Sequence, residues 1–186
     1  TAPPAGIPPL ASLAALRSWL AQSAPGAVLA DGNPESGILI IGEAPSAEDL
    51  RTRRPFTGPA GLLLDRMLAA IGLDRNGCYI TLLCPRRRVP GPPEPQDIER
   101  DLPLTRSHIR LAGARHILLL GGTPAQALTG SKTPISQLRG QPLDLLADGH
   151  RATALATFNP AYLLRRPADK ARAWADLLAF RRLIAA

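Results

Sequence analysis

Four short, uninterrupted apolar runs alternate with segments of helical periodicity along this chain of 186 residues. The runs are ILII at 38–41, CYITLL at 78–83, HILLL at 116–120 and ATALATF at 152–158. Runs of this length, without a polar residue at every second position, are typical of strands buried on both faces of a parallel sheet. The pattern therefore favours a fold in which helices cover both sides of a sheet.

Segments with apolar residues at helical spacing lie before, between and after these runs. They predict helices at residues 8–26, 60–71, 95–112, 123–128 and 169–184. The alternation predicts the α/β class, as a three-layer α/β/α sandwich around a central, mainly parallel sheet of four strands. The length fits a single domain over residues 1–186, in which residues 1–27 form an N-terminal arm and helix.

The chain is basic, with 22 Lys and Arg against 15 Asp and Glu and a formal net charge of +7. This balance favours an anionic partner, and nucleic acid is the first candidate. Scattered surface charge on an arginine-rich chain is the alternative. No apolar run approaches the roughly 20 residues that span a bilayer, so we expect no membrane contact.

The only two cysteines, Cys78 and Cys84, lie at or within an apolar run. Two thiols cannot form a four-thiolate metal site, and neither has a Cys or His partner at ligand spacing. We interpret both as buried structural residues and predict no metal site. Reduced thiols fit a cytoplasmic protein.

Unusual residues follow two of the predicted strands. Gly42, Glu43, Ala44 and Pro45 come directly after the first strand, and an Asn-Pro pair at 159–160 follows the fourth. In sheets of this kind, ligands bind outside the carboxyl ends of the strands. The sequence therefore places a candidate site at these two strand ends.

Six segments resemble, in order, those of a known family. They are DGNP at 31–34, GEAPSAEDLRTRRPFTGPAGLLLDRML at 42–68, YIT at 79–81, LLLGGTPAQALTG at 118–130, ISQLRGQP at 135–142 and NPAYLLRRPADKARAWADL at 159–177. Together they resemble the uracil-DNA glycosylase superfamily, most closely its iron–sulfur, thermostable-type branch, over roughly residues 28–186.

The resemblance implies an enzyme that takes a damaged base out of DNA and into a pocket. It assigns Glu43 to positioning or activating the attacking water and Phe56 to stacking on the extruded base. Gly42, Ala44 and Pro45 would shape the pocket. The alternatives from the residues alone are a solvated, helix-capping glutamate and a phenylalanine in a small core under the loop.

The chain departs from that branch at the four cluster cysteines. The aligned positions fall near Ser18–Leu20, at Arg86 and at Asp101. Since a four-iron cluster needs its thiolates, we predict no cluster and no cofactor. Salt bridges around Arg86, Arg87 and Asp101 would then hold the Pro-rich loop.

Three further departures fall in the predicted pocket. Leu82 stands where the family usually has Asn, so we expect weakened or altered base preference. Asn159 replaces the usual His but still carries an N–H donor for the leaving base, and a related branch acting on mismatched bases has Asn-Pro here. Ser46 replaces a Gly, which predicts either strain at positive φ or a hydroxyl donor for a phosphate.

The segment after the fourth strand is the predicted DNA-binding face. In the superfamily this loop inserts an apolar wedge into the duplex, with Leu163 as the first choice here and Leu164 or Tyr162 as alternatives. Phosphate contacts are expected from a basic set that follows. The predicted DNA-binding residues are Ser46, Pro160, Tyr162, Leu163, Leu164, Arg165, Arg166 and Lys170. The Arg86–Arg88 run is either a further basic element or a solvated turn, and the three histidines are expected to be structural or surface residues.

Two main hypotheses remain. The first is a monofunctional, monomeric DNA glycosylase for uracil or another deaminated base, with Glu43 and Asn159 as catalytic residues. The second is a catalytically degenerate relative that binds DNA or a damaged base without excising it, which Leu82 and Asn159 keep open. A different α/β nucleotide-binding enzyme is a weaker reading, because no strand is followed by a Gly-x-Gly-x-x-Gly or Walker signature.

Overall fold

Six strands form one sheet in the order β1-β3-β2-β4-β6-β5 in the computed structural model, which describes residues 6–186. The strands are β1 Asp31–Gly32, β2 Ile38–Gly42, β3 Tyr79–Leu82, β4 His116–Leu120, β5 Pro142–Ala147 and β6 His150–Thr157. The helices in this part of the chain are α1 Leu13–Ser23, α2 Ala47–Thr52, α3 Pro59–Ala70, α4 Pro95–Leu111, α5 Gly122–Thr129, α6 Ile135–Leu138, α7 Pro160–Arg165 and α8 Lys170–Ala185.

The four predicted strands form the parallel centre of this sheet. β3, β2, β4 and β6 run side by side in parallel register, with Gly42 opposite Leu82 and Leu120 opposite Thr157. Their residues are almost entirely buried because helices cover both faces. The α/β prediction is confirmed for this centre.

The predicted count of four strands is too low, because two antiparallel edge strands were missed. β1 has only two residues, which is too short for a sequence pattern. β5 pairs with β6 through the two-residue turn Asp148-Gly149, whose residues have φ values of 49° and 83°. An Asp-Gly pair is a known signal for such a hairpin turn, and both residues tolerate positive φ.

Two apolar layers separate the sheet from its helices. On one face Leu64 and Leu68 of α3 and Phe180 of α8 are buried against the strands, and on the other face Ile109 of α4 is buried. Helix α1 adds a smaller cluster through Leu16 and Leu20. Both residues share this cluster with Leu104 of α4, so the N-terminal helix packs on the domain.

In the part of the chain that the structure describes, no helix is both long and apolar enough to cross a bilayer.

Two of the three histidines make structural contacts. His108 on α4 is buried, and its Nδ1 lies 3.2 Å from the hydroxyl of Tyr79 on β3. Burial lowers the pKa of His108 to about 4. His150 Nε2 lies 2.8 Å from the Ala114 carbonyl oxygen.

Burial of His108 predicts a loss of stability in mild acid. The pKa of this residue is about 4 in the folded chain and about 6.5 in an unfolded one. The unfolded chain therefore binds more protons between these values. The free energy of unfolding should fall by up to about 3 kcal/mol as the pH drops from 6.5 to 4.

Urea unfolding at several pH values measures this effect. His108→Gln should flatten the pH dependence over that interval, whereas His150→Gln should retain it. Equal slopes in the wild type and in His108→Gln would contradict the assignment.

Candidate active site

A cleft of about 820 Å³ opens where the parallel strands end. Its walls come from the turn after β2, the loop before α3, the glycines after β4 and the segment from β6 into α7. The predicted residues among its walls are Glu43, Ala44, Pro45, Ser46, Phe56, Asn159, Tyr162, Leu164 and Arg165. A volume of this size is usual for a small-molecule site.

Glu43 and Asn159 converge on Gly121, the first residue after β4. A Cβ atom built on Gly121 would lie 3.4 Å from Asn159 Cβ, 3.8 Å from its Nδ2 and 4.0 Å from Glu43 Oε2. Gly121 has a φ of 106°, a conformation that favours glycine. The turn therefore brings a carboxylate and an amide together at one end of the cleft.

Two hydrogen bonds fix the orientation of the Asn159 amide. Asn159 is the N-cap of α7, and its Oδ1 accepts a hydrogen bond of 2.9 Å from Ala161 N. Its Nδ2 donates to the Leu120 carbonyl oxygen at 3.4 Å. Because an amide nitrogen carries two hydrogens, one N–H is left for a ligand in the cleft.

The ring and the backbone of Phe56 each occupy space that a glycine leaves open. A Cβ on Gly42 would lie 2.5 Å from Phe56 Cζ, and a Cβ on Gly61 would overlap the carbonyl oxygen of Phe56. Phe56 also has a φ of 55°, which is uncommon for a bulky residue. The backbone is therefore held in a conformation that surrounding contacts must maintain.

Arg75 supplies some of those contacts. Its guanidinium donates to the carbonyl oxygens of Pro55, at 3.1 Å, and of Phe56. The same side chain pairs with Asp65 at 2.8 Å and with Asp31 at 3.1 Å. The DGNP segment thus contributes Asp31 to holding the loop that carries the aromatic ring.

Asp49 joins the two halves of the site motif. Its Oδ1 accepts hydrogen bonds from Thr57 N at 2.8 Å and Thr57 Oγ1 at 3.1 Å. Its Oδ2 accepts one from Ser46 N at 3.1 Å. Sequence reasoning missed Asp49, although a Ser followed by Asp three positions later signals a capping box at a helix start.

The sequence left open whether Ser46 is strained at a positive φ, and the structure shows that it is not. Its φ is −74°, and its hydroxyl accepts a hydrogen bond of 3.1 Å from Asp49 N as the N-cap of α2. No strain arises, because this position does not require positive φ. The side chain remains at the cleft wall.

The first choice of wedge residue is corrected by the structure. Leu163 is only 1% exposed and packs in the core, and Pro160 is buried at the start of α7. Leu164 is 44% exposed and lies at the cleft. The helical turn of α7 turns one leucine inwards and leaves the next at the surface, so Leu164 is the available apolar side chain.

Leu82 and Gly42 lie behind the cleft wall. Leu82 is 2% exposed, and its Cδ2 would be 2.9 Å from a Cβ on Gly42. It packs beneath the Phe56 ring rather than lining the cleft.

The basic residues of the predicted DNA-binding set differ in position. Arg166 and Lys170 are exposed but do not line the cleft, whereas Arg172, which the sequence did not single out, lines it.

Phe158, which sequence reasoning missed, forms an aromatic pair with Tyr162 in the cleft wall next to Asn159. The rings of Phe158 and Tyr162 stack with centroids 5.1 Å apart, and both line the cleft. Arg139 lies over Phe158 at 5.4 Å and pairs with Asp176 at 2.8 Å. Burial raises the pKa of Asp176, against the hydrogen bond from Thr157 and the charge of Arg139.

The residues aligned with the cluster cysteines do not fit an iron–sulfur group. Arg86 pairs with Asp101 at 2.6 Å and lies over the Trp19 ring at 5.5 Å. Cys78 and Cys84 are buried, and burial raises the pKa of each thiol to about 12. Within residues 6–186, no three or more His, Cys, Asp or Glu side chains are grouped to hold a metal.

Gly61→Ala tests whether Phe56 depends on the missing side chain. In a helix such as α3, alanine normally stabilises relative to glycine by up to about 1 kcal/mol. The added Cβ would overlap the Phe56 carbonyl oxygen, so we expect a loss of about 1–3 kcal/mol instead. Denaturant unfolding measures it.

Gly77→Ala is the matched control, since its Cβ would make only ordinary contacts at 3.5 and 3.7 Å. Equal stability changes in the two variants would show that Phe56 does not need Gly61.

Comparison with known proteins agrees with this geometry. The sequence profile of the Uracil DNA glycosylase superfamily matches residues 29–178. The chain is 33% identical over 150 residues to the Type-4 uracil-DNA glycosylase of Thermotoga maritima, covering 78% of this chain and 75% of that protein. It is 32% identical over 169 residues to the Type-4 uracil-DNA glycosylase of Pyrobaculum aerophilum, covering 83% and 81%. The enzyme of the same description from Archaeoglobus fulgidus is 34% identical over 148 residues, covering 73% and 71%. The chain therefore belongs to the uracil DNA glycosylase superfamily.

Proposed function

We propose that this protein is a monofunctional DNA glycosylase that hydrolyses the N-glycosidic bond of uracil or another deaminated base in base-excision repair. The observation that carries the proposal is the convergence of Glu43 and Asn159 in the cleft that Phe56 also lines. Family membership and the names of the relatives support the same reaction.

The cleft residues suggest the following steps. The base leaves the stack and enters the cleft, where the Phe56 ring stacks on it. Glu43 orients a water molecule, whose oxygen forms a bond to C1′ of the sugar. The C1′–N bond breaks and its electron pair leaves with the base. The Asn159 N–H donates a hydrogen bond to the negative charge that develops there. The water proton passes to the Glu43 carboxylate.

The protein groups at the cleft rim fit a DNA ligand. Leu164 offers an exposed apolar side chain to the gap that the base leaves. Arg165 and Arg172 at the same rim suit the phosphates.

We also propose that the protein works without an iron–sulfur cluster. The chain has two cysteines, and an arginine and an aspartate occupy aligned cluster positions. Pure protein should contain no stoichiometric iron and show no absorbance band near 400 nm; a brown preparation would contradict the proposal.

The free thiols of Cys78 and Cys84 fit the cytoplasmic location expected from the sequence.

A strand-cleavage assay tests the proposed reaction. Single- and double-stranded oligonucleotides bearing uracil, hypoxanthine or xanthine are incubated with the protein and then treated with alkali. Glu43→Gln should lower the rate by about 10²–10⁴, the usual contribution of a general base. Phe56→Ala should raise KM about tenfold or more through lost stacking.

Glu48→Gln is the control, because Glu48 pairs with Arg51 outside the cleft. Full activity in Glu43→Gln would refute the assigned role. Salt-sensitive binding with no abasic product would favour the second hypothesis, a glycosylase-like protein that binds DNA without cutting it.

Asn159→Asp isolates the proposed donor. The Asp side chain keeps an oxygen to cap α7 through Ala161 N, but it has no N–H for the leaving base. We expect kcat to fall by about 10²–10³, the cost of losing one oxyanion-type donor, while the free energy of unfolding changes little. Single-turnover kinetics measure the fall, and Asn159→Ser, which also caps helices, controls for the added charge. Unchanged kcat in both variants would exclude Asn159 from the reaction.

A further inference from the structure

The three consecutive arginines Arg86–Arg88 bind other parts of the protein. The sequence left this run as a DNA-facing element or a solvated turn, and it also predicted salt bridges with Asp101 that hold the Pro-rich loop. The structure contains the Arg86–Asp101 pair, while Arg88 is exposed. Arg86 and Arg87 have side chains only 9% and 14% exposed. Each of the three guanidiniums has a protein partner.

Arg86 connects the segment after β3 to both α4 and α1. Its Nε pairs with Asp101 Oδ1 at 2.6 Å, and its Nη2 donates to the Arg100 carbonyl oxygen at 2.8 Å. Its guanidinium lies over the Trp19 ring of α1 at 5.5 Å. Asp101 is fully buried and also accepts from Arg100 at 2.8 Å. Removing Arg86 would therefore leave a buried carboxylate with one partner fewer.

The other two arginines extend the attachment in opposite directions. Arg87 pairs with Asp97, whose Oδ2 also accepts a hydrogen bond of 3.1 Å from Glu94 N at the start of α4. Arg88 donates to the carbonyl oxygen of Pro25, just after α1. The run thus joins the end of β3 to two helices.

The Pro-rich segment, residues 89–93, follows directly after the three arginines in the chain. Its residues Gly91 and Pro92 line the same cleft as Glu43. Gly91 has a φ of 113°, and a Cβ placed there would meet nothing within 4 Å. Since Gly91 has so little packing of its own, the position of this cleft edge depends on the arginines before it and on α4 after it.

We propose that Arg86, Arg87 and Arg88 are positioning residues for DNA binding, holding the Gly91–Pro92 edge of the cleft. The proposal rests on the proposed function, since that function defines the ligand. It also gives the aligned cluster positions a role, because Trp19, Arg86 and Asp101 cross-link α1, the Pro-rich segment and α4 through an ion pair and a cation–π contact.

Trp19 provides a direct readout of this cross-link. The chain has two tryptophans, Trp19 and Trp174. In a Trp174→Phe background, the remaining fluorescence reports on the ring beneath Arg86. Adding Arg86→Gln should shift its emission to the red and increase quenching by acrylamide. Arg88→Ala, which loses only the contact to Pro25, is a milder variant if Arg86→Gln folds poorly.

DNA affinity is the functional readout, measured by fluorescence anisotropy with a uracil-containing single-stranded oligonucleotide. Arg86→Gln and Arg88→Ala should each weaken binding about tenfold. Arg106→Gln, on α4, removes the same charge without disturbing the cross-link and should bind as the wild type does. Tyr79→Phe, which loses the hydroxyl contact to His108, controls for general destabilisation.

The outcomes separate this proposal from the proposed function. Weakened binding in the two arginine variants but not in the two controls supports positioning, even if the wild-type protein cuts no base. A Trp19 change with unaltered affinity would reduce the run to a purely structural role and overturn the proposal. Unaltered Trp19 emission, equal losses in Arg106→Gln, or no DNA binding by the wild type would overturn it as well.

Discussion

The level register of the parallel strands is the constraint on which the site depends. β2 lies between β3 and β4, with Gly42 opposite Leu82 and Ile41 opposite Leu119, and β6 follows in step. Because parallel strands end at the same edge of a sheet, the residues that follow them are brought together from distant parts of the chain. The apolar strands thus fix the place of Glu43 and Asn159 before either side chain makes a specific contact.

Buried charged groups then set the loops at that edge. Asp49 ties Ser46 to Thr57, Arg75 binds the carbonyl oxygens beside Phe56, and Asp101 binds Arg86. Burying charges is costly, and such pairs are weak contributors to overall stability. Their directional hydrogen bonds join backbone segments that have little regular structure. In this protein they accompany the left-handed conformation of Phe56 and the irregular Pro-rich segment.

The sequence predicted the four central strands and most long helices, because uninterrupted apolar runs and helical spacing are strong signals. It missed β1, which is too short for a pattern. It also missed β5, in which only Leu145 and Ala147 are buried, although the Asp-Gly pair that follows signals a hairpin turn. It grouped Glu43, Phe56 and Asn159 correctly at one cleft. It misplaced Leu163, because only the direction in which α7 packs decides which of two adjacent leucines is buried.

The amino-acid sequence by itself determined the order of the four central strands and the long helices, and its resemblance to a known family indicated which side chains stand at the strand ends. Tertiary structure alone decided which residues face the cleft and which support it. Leu82 lies behind Phe56, Asp49 joins two loops, and Arg86 and Arg87 pair with aspartates of α4. The physical reason is that these contacts join residues far apart in the chain. Their partners depend on packing direction, which a local sequence pattern does not record.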